Sequence, residues 1–587
     1  MNGTPRRRLR LPLFGAGVLS TALLMAVGAT PAGSAPAKHE AVFSEAVAFD
    51  TSKPLRELAK TAKVEARDKD ARMSPERGPT VKDKGYSGDA AVQDFSSVNA
   101  VATIGGTIAN FEGLNQNDNF ARTGRRVNPP DPVGDVGPNH YVEMINLVFG
   151  VYSKTGTRLL GPLALGDLWA GFPIEDCTDE SGDPIVLYDQ TTDRWLLTQF
   201  TTRGLNPATP TLPFYNCVAV SQTGDPTGAY YRYAFITQPD PDGGYFFPDY
   251  PKYGVWRDSY IMTSRDIGFD DGYGISVYGL EKNKMVNGEP NARAVQFFLN
   301  SDVVPINLIG DGLLPPDLDG NTKPKADAPA PIVGTQDDGG PYGATFDALN
   351  IWDLDIKWRS APIASLVLKT QLPVAPFDSI FPCGVVPGSE PPSARDCLPQ
   401  PGITDGSQYL DILSYRQRPM WRLAYRNKGA YESMVTNQSV EALPGVAGVR
   451  WYELRRTGST YSVFQQGTYA PNDGVHRWMG SIAADKNGNM ALGYSVVNGT
   501  TVYPGIRYTG RLAGDPSGQM TLGEGVIVNG LGAQTNTNSR WGDYTSMNVD
   551  PVDDCTFWYV NEYYTVTEPP PDRNWQTRIA SFKLPGC

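Results

Sequence analysis

The sequence predicts an all-β fold, a six- or seven-bladed β-propeller preceded by a signal peptide and a flexible N-terminal arm. Three observations carry that prediction: a strand pattern that recurs from residue 101 to the end, a composition rich in turn formers and aromatics, and an N-terminus built for export. They divide the chain into 1–35 (signal peptide), 36–100 (pro-segment or arm) and 101–587 (propeller).

In the recurring pattern an Asp- or Gly-containing entry leads into a strand, then a polar turn, then an aromatic-rich strand. Its instances begin at Gly134, Asp183, Asp249, Trp421, Met479 and Trp541, with a degenerate seventh at Pro331. The starts fall roughly 50 to 80 residues apart where the pattern is clear, a period that suits a four-stranded sheet with its loops. One such sheet cannot cover both of its faces, so blades stack radially and bury one another. Asp, Asn and Gly in the polar turns suit the hairpin between a blade's inner strands, because they tolerate turn dihedrals and bond their own backbone. Two tandem β-sandwiches are the competing architecture, but the pattern runs through the midpoint without a linker. The last strand, Gln576 to Leu584, should lie in the last blade, and a strand from 102–111 should complete that blade and close the ring.

Gly (62), Pro (49) and Tyr (29) are abundant while only 19% of residues are charged, which favours turns and aromatic strands over helices. The net charge of -12 argues against nucleic acid and against anionic membrane surfaces.

Arg6, Arg7, Arg8 and Arg10 precede an uncharged run from Leu11 to Ala29, with small residues Gly33 and Ala35 after it. That order reads as a cleavable secretory signal, with an uncleaved anchor as the alternative. Later apolar runs stay short of about 18 residues, so no membrane association is expected after cleavage. Residues 38–84, rich in Lys, Glu, Asp and Ala, read as a mobile arm with a short amphipathic helix near Leu55–Ala66.

Outside the cytoplasm an even cysteine count reads as disulfides. Proximity favours Cys383–Cys397 and Cys555–Cys587, leaving Cys177–Cys217. The chain has no Cys-x-x-Cys pair, and its only histidines are His39, His140 and His476, so zinc catalysis is excluded. Ser-His-Asp catalysis lacks a Gly-x-Ser-x-Gly elbow, and His476 reads as a packed or loop residue. No cofactor is expected. Structural calcium is a candidate at Asp317-Leu-Asp319-Gly-Asn and Asp240-Pro-Asp242-Gly-Gly, against the plainer reading of Asp/Gly turns.

Ligands of a propeller bind at one mouth of the central channel, where the innermost strands begin. Asp131, Asp135, Asp183, Asp249 and Asp543 each precede a strand at such a place. Glu562 and Tyr563 sit in an aromatic stretch suited to stacking on sugar rings. Arg507, Arg511 and Arg540 could hold a carboxylate by bidentate hydrogen bonds. Asp543, Glu562 and Tyr563 are therefore the catalytic candidates, and Arg507, Arg511, Arg540, Asp135 and Asp249 the substrate-binding ones. Paired carboxylates suit glycosidic cleavage. A Tyr beside a carboxylate-holding cluster suits a covalent nucleophile or the base of a uronate lyase. The plainer alternative is that repeated Asp residues cap turns. The expected partner is an extracellular polysaccharide or glycan bound by a secreted monomer; a non-catalytic glycan- or protein-binding platform is the alternative.

Three motifs carry a resemblance: Asp-Pro-Val-Gly-Asp-Val-Gly-Pro-Asn-His-Tyr (131–141), Pro-Asp-Tyr-Pro-Lys-Tyr-Gly-Val-Trp (248–256) and Arg-Trp-Gly-Asp-Tyr-Thr-Ser-Met-Asn-Val-Asp-Pro-Val-Asp-Asp-Cys-Thr-Phe-Trp-Tyr (540–559). They resemble secreted bacterial proteins grouped with sialidase-like (BNR-type) β-propellers, over roughly 101–587. The resemblance implies a propeller and export, and places a sialidase-type arginine triad on Arg507, Arg511 and Arg540. The chain departs from sialidases in lacking clear Ser-x-Asp-x-Gly-x-x-Trp boxes; 221–230 is a distant echo.

Overall fold

The computed structural model describes residues 39–62, 85–95, 103–206, 210–239, 245–268, 272–381, 396–412, 417–535, 540–568 and 575–587. The signal segment, Cys383 and the Asp240/Asp242 turn lie outside them.

Seven antiparallel blades form a β-propeller. Their innermost strands are Val133–Val136, Ile185–Asp189, Phe247–Val255, Pro316–Leu318, Met420–Asn427, His476–Ala484 and Ser546–Val549, for blades 1 to 7 in order. Each lies beside the next, and Ser546–Val549 returns to Val133–Val136 to close the circle. The degenerate repeat at Pro331 is the second strand of blade 4, whose short inner strand hydrogen-bonds in parallel to Met420–Asn427 of blade 5. Its link to its own blade is a single bridge, Leu314 to Val333. That irregularity is why the repeat is hard to read there.

Blade 7 takes its outermost strand from the start of the propeller region: Ala109–Asn115 pairs with Trp575–Phe582. The closing strand expected over 102–111 thus lies a few residues later. Disulfide Cys555–Cys587 joins the same blade to the chain end, and Cys177–Cys217 ties the blade 1–2 connection to a strand of blade 2. Cys397 is disulfide-bonded as well.

The inner hairpins carry the Asp turns read from sequence. Asp485 accepts the Asn487 and Asn489 N–H groups at 2.8 and 2.9 Å, and Asp550 accepts that of Val552 at 3.0 Å. Between blades the packing is aromatic: Trp195, Trp352, Trp421, Trp451, Trp478 and Trp541 are fully buried.

The described parts of 36–100 differ from a free arm. Val42–Glu45 adds a fifth strand to blade 3 and Ala48–Thr51 a fifth to blade 2. Helix Leu55–Thr61, shorter than the sequence suggested, buries Leu55 and Leu58. Further on, Asp89 pairs with the fully buried Arg450, and Tyr86 Oη donates to the Ala442 carbonyl at 2.8 Å. Few apolar residues suffice, because open sheet edges supply backbone partners for an added strand.

Inside the ring, Arg422 of blade 5 is 2% exposed. Its guanidinium donates to Asp317 at 2.8 Å, to Asp319 at 2.6 and 3.0 Å and to the Met547 carbonyl at 3.2 Å. The calcium reading of this loop is thereby replaced: a guanidinium already satisfies both carboxylates. Removing one partner of a buried pair strands the remaining charge at a cost of about 3–5 kcal/mol. Arg422→Met should lower unfolding stability by about that amount, read as a reduced midpoint in urea denaturation with the slope unchanged.

Candidate functional site

Four aspartates meet at the mouth where the inner strands begin. Asp131 precedes the inner strand of blade 1, Asp183 that of blade 2 and Asp543 that of blade 7, while Asp249 opens the strand of blade 3. A hydrogen-bond chain runs between them. The Asp543 N–H donates to Asp131 Oδ1 at 2.6 Å, and Asn146 Nδ2 donates to Asp131 Oδ2 at 2.7 Å. Asn146 Oδ1 accepts the Asp183 N–H at 3.0 Å, and Asp183 Oδ2 accepts the Tyr250 N–H at 3.2 Å.

The backbone here is strained. Asp131, Asp183 and Tyr250 have φ of 47°, 43° and 52°, and each precedes a proline. Left-handed dihedrals at non-glycine residues cost on the order of 1–3 kcal/mol each and concentrate at functional sites. Gln417, two residues ahead of Pro419 at the entry to blade 5, has φ 49°.

Cations complete the cup. Arg540 Nη2 lies 2.6 Å from Asp543 Oδ1, and its Nε 3.4 Å from Asp411. Arg418, 2% exposed, lies 3.6 Å from Asp543 Oδ2 and 3.5 Å over the Tyr250 ring. Among the described residues its Nε and Nη2 have no hydrogen-bond partner. Lys252, fully buried, lies between the rings of Tyr250 and Tyr544.

These surroundings push the carboxyls apart. Burial, then the neighbouring Asp543, raises Asp131 to about 7. Burial and the negative charges of Asp249 and Asp131 raise Asp183 well above its ordinary value. Burial likewise raises Asp249, against the pull of Arg265. At Asp543 burial is the largest influence and acts upward, but Arg540 and Arg418 outweigh it and the net shift is down. The cup therefore sets three carboxyls that burial raises beside one that two arginines hold down, the division of labour that acid–base catalysis uses.

Of the sequence candidates, Asp249, Asp543 and Arg540 come together here with Asp131 and Asp183. Asp135 lies further along the inner strand of blade 1, where its carboxylate accepts the Val136 and Tyr188 N–H groups, both at 2.7 Å. Glu562 sits behind the cup, fully buried, accepting the Gly542 N–H at 2.8 Å. Tyr563 follows it on the same strand and so points to the other face, where its hydroxyl donates to Glu112 at 2.9 Å. Arg507 and Arg511 lie on the third strand of blade 6, outward from the channel. Arg507 pairs with Glu524 at 2.8 Å, and Arg511 bonds Gln465 and the Asp515 carbonyl.

Residues absent from the sequence candidates complete the site: Arg418, Lys252, Tyr250, Tyr544 and Asn146. Tyr250, Lys252 and Tyr544 stand inside the 248–256 and 540–559 motifs, so their position at strand entries was the available signal. Arg418 and Asn146 carried none.

Among the described residues, one acidic triad could share a cation: Asp337, Asp338 and Asp347, on blade 4. Asp337 accepts the Ser379 and Gly339 N–H groups at 2.8 and 2.6 Å, and Asp347 those of Asp338 and Phe377 at 2.9 and 2.7 Å, so these carboxylates cap a loop. His476 accepts the Ala447 N–H at 3.2 Å, and burial lowers it to about 4, as suits a packed histidine. Two concavities open elsewhere: about 270 Å³ beside Trp256 and Trp358, and about 370 Å³ beside His140 and Tyr188. Neither touches the aspartates of the mouth, whose chemistry marks the stronger candidate.

Burial, the largest cause at each, also raises Glu143 and Asp266 to about 7 and Asp135 to about 8. A carboxyl whose pKa is higher in the folded chain binds its proton more tightly there. Its stabilisation is complete below the unfolded pKa and is lost as pH rises through 7 to 8. His476 and Lys252, both lowered by burial, act in the opposite sense, but four acids including Asp131 outnumber them. The melting temperature should fall between pH 5 and pH 7.5, and Asp135→Asn should flatten the fall; calorimetry at the two pH values measures both.

No family model and no curated protein matches the chain. Solved structures similar to it include an endo-arabinase from Bacteroides thetaiotaomicron VPI-5482 (14% identity, 55% of this chain and 92% of that one, TM-score 0.25). A thermostable family-43 glycoside hydrolase matches at 11% identity over 71% of this chain and 99% of that one, TM-score 0.26. An exo-β-1,3-galactanase from Clostridium thermocellum matches at 10% identity over 82% and 97%, TM-score 0.29.

Proposed function

We propose that the chain is an exported, monomeric carbohydrate-active enzyme that cleaves a glycan at the propeller mouth. One observation carries this reading: a single strained cup sets Asp543, which Arg540 and Arg418 hold down, beside Asp249, which burial raises. Asp249 is half-buried, and among the described residues its carboxyl makes no hydrogen bond, so it is free to act as an acid. In hydrolysis Asp249 gives its proton to the glycosidic oxygen as the bond to the sugar carbon breaks. Asp543 takes a proton from the water that attacks that carbon. Arg418 and Arg540 would orient the sugar, with a carboxylate-bearing residue the best complement to their guanidinium groups. With a uronate, the same cup could support elimination instead, which a sialidase-like ancestry would also accommodate. The disulfides suit an oxidising exterior, and no helix among the described residues is long and apolar enough to cross a membrane.

A binding platform without turnover is the second reading. It is favoured by Asp131, whose two oxygens are both committed to protein donors.

Incubation with a panel of neutral and acidic polysaccharides should release sugars. Asp543→Asn and Asp249→Asn should each lower kcat by about 10²–10⁴, while Tyr563→Phe and Arg507→Gln, outside the mouth, should leave it unchanged. Unsaturated ends would identify elimination, and glycan retention without product would identify the platform. Full activity in both aspartate variants would exclude the proposed site.

A further inference from the structure

Lys252 stands apart from the other cations of the mouth. Arg540 and Arg418 lie 2.6 and 3.6 Å from Asp543, and Arg265, on the second strand of blade 3, lies 3.5 Å from Asp311. Lys252 is fully buried, yet among the described residues it pairs with no carboxylate. Its Nζ donates to the Pro251 carbonyl at 3.0 Å and stands 3.3 Å from the centre of the Tyr250 ring and 3.9 Å from that of Tyr544. The two rings meet edge to face at 6.0 Å, and the Tyr250 hydroxyl donates to the Asp543 carbonyl at 3.4 Å.

An ammonium removed from water with one hydrogen bond depends on ring faces and on nearby charge. The charges that face it come from every side of the ring. Asp183 before blade 2, Asp131 before blade 1 and Asp543 before blade 7 attract it, while Arg418 before blade 5 repels it. Arg265 and Asp311 lie further round, at the blade 3–4 side, as a pair. Burial dominates and brings Lys252 down to about 7, with the three aspartates holding it up. Asp183 is its strongest electrostatic partner, and in return Lys252 draws Asp183 down. Asp543 keeps Arg540 and Arg418 whatever Lys252 does, so Asp183 depends on it most.

Resting on the reading that the mouth aspartates act on a glycan, we propose that Lys252 is a positioning residue. From its cage between Tyr250 and Tyr544 it supplies the charge that sets the protonation of Asp183 and Asp543, without touching the glycan. Its complete burial keeps it from contact, and its ammonium lies against both tyrosine rings. Because the coupling is reciprocal, neutralising Asp183 loosens the proton on Lys252, and neutralising Lys252 tightens the proton on Asp183.

Two measurements on the full chain test this. The first needs no glycan: ¹³C NMR titration of labelled lysine side chains, with the Lys252 signal assigned by its loss in Lys252→Arg. Lys252 should titrate near neutrality, apart from the surface lysines, and Asp183→Asn should move it lower by about half a pH unit or more. Titration alongside the surface lysines, or indifference to Asp183→Asn, overturns the proposal. The second uses a glycan that the wild type cleaves. Lys252→Met should lower kcat at least about tenfold with KM within about twofold, and should displace the pH profile. Lys252→Arg, with equal melting temperature, should restore the rate and extend activity to higher pH. A Lys252→Met profile that overlays the wild type overturns the proposal. The expected Lys252 titration near neutrality, with its response to Asp183→Asn, but no glycan cleaved would instead mean that the reading of the mouth as a catalytic site has failed, and the positioning role with it.

Discussion

The ring depends on one buried arginine and the two carboxylates it pairs with. Blade 4 has an inner strand of only three residues, joined to the rest of its blade by a single bridge. Arg422 fastens that strand to blade 5 through Asp317 and Asp319, and reaches blade 7 through the Met547 carbonyl. Asp135 of blade 1 lies within its field, which lowers that carboxyl against its burial. Desolvating so many charges is unfavourable unless every donor and acceptor finds a partner, and here a planar guanidinium meets two carboxylates in a geometry that lysine could not match. Blades 4, 5 and 7 are thereby joined through one side chain.

The same arrangement leaves the mouth free for chemistry. The strand entries at the mouth are not fastened by Arg422, whose partners are Asp317, Asp319 and the Met547 carbonyl. They instead carry left-handed backbone at Asp131, Asp183 and Tyr250, held by hydrogen bonds that pass from blade to blade. Strain of this kind persists only where the surroundings over-determine it. The rigid β body supplies that constraint, and its chemical result is Asp543, held down by Arg540 and Arg418, beside Asp249 and Asp183, whose carboxyls burial raises.

Much of this was legible in the residues, and the limits have physical reasons. The recurring period located six blades and a degenerate seventh, leaving the count at six or seven, because turn dihedrals and strand alternation are local properties. The mouth aspartates were legible for the same reason: each occupies an equivalent place at a strand entry. Tyr563 and Glu562, adjacent in sequence, could not share a site because a strand sends neighbours to opposite faces. Arg507 and Arg511 stand on a third strand, and only the position of that strand within its blade tells how far it lies from the channel. Arg418 carried no repeat signature and was invisible until blade 5 was set beside blade 7.

The sequence by itself determined the all-β class, the blade period, the closing strand near residue 110 and two cysteine pairs, because each follows from local pattern or short separation. Tertiary structure alone decided what the charges do. Asp317 and Asp319, in sequence an Asp/Gly turn or a calcium candidate, accept hydrogen bonds from Arg422. Lys252, an ordinary lysine in a motif, is a buried cation between two rings. The segment before residue 95 supplies edge strands because open blade edges accept any extended backbone. Charge, burial and proximity belong to residues hundreds of positions apart, and only closing the ring brings them together.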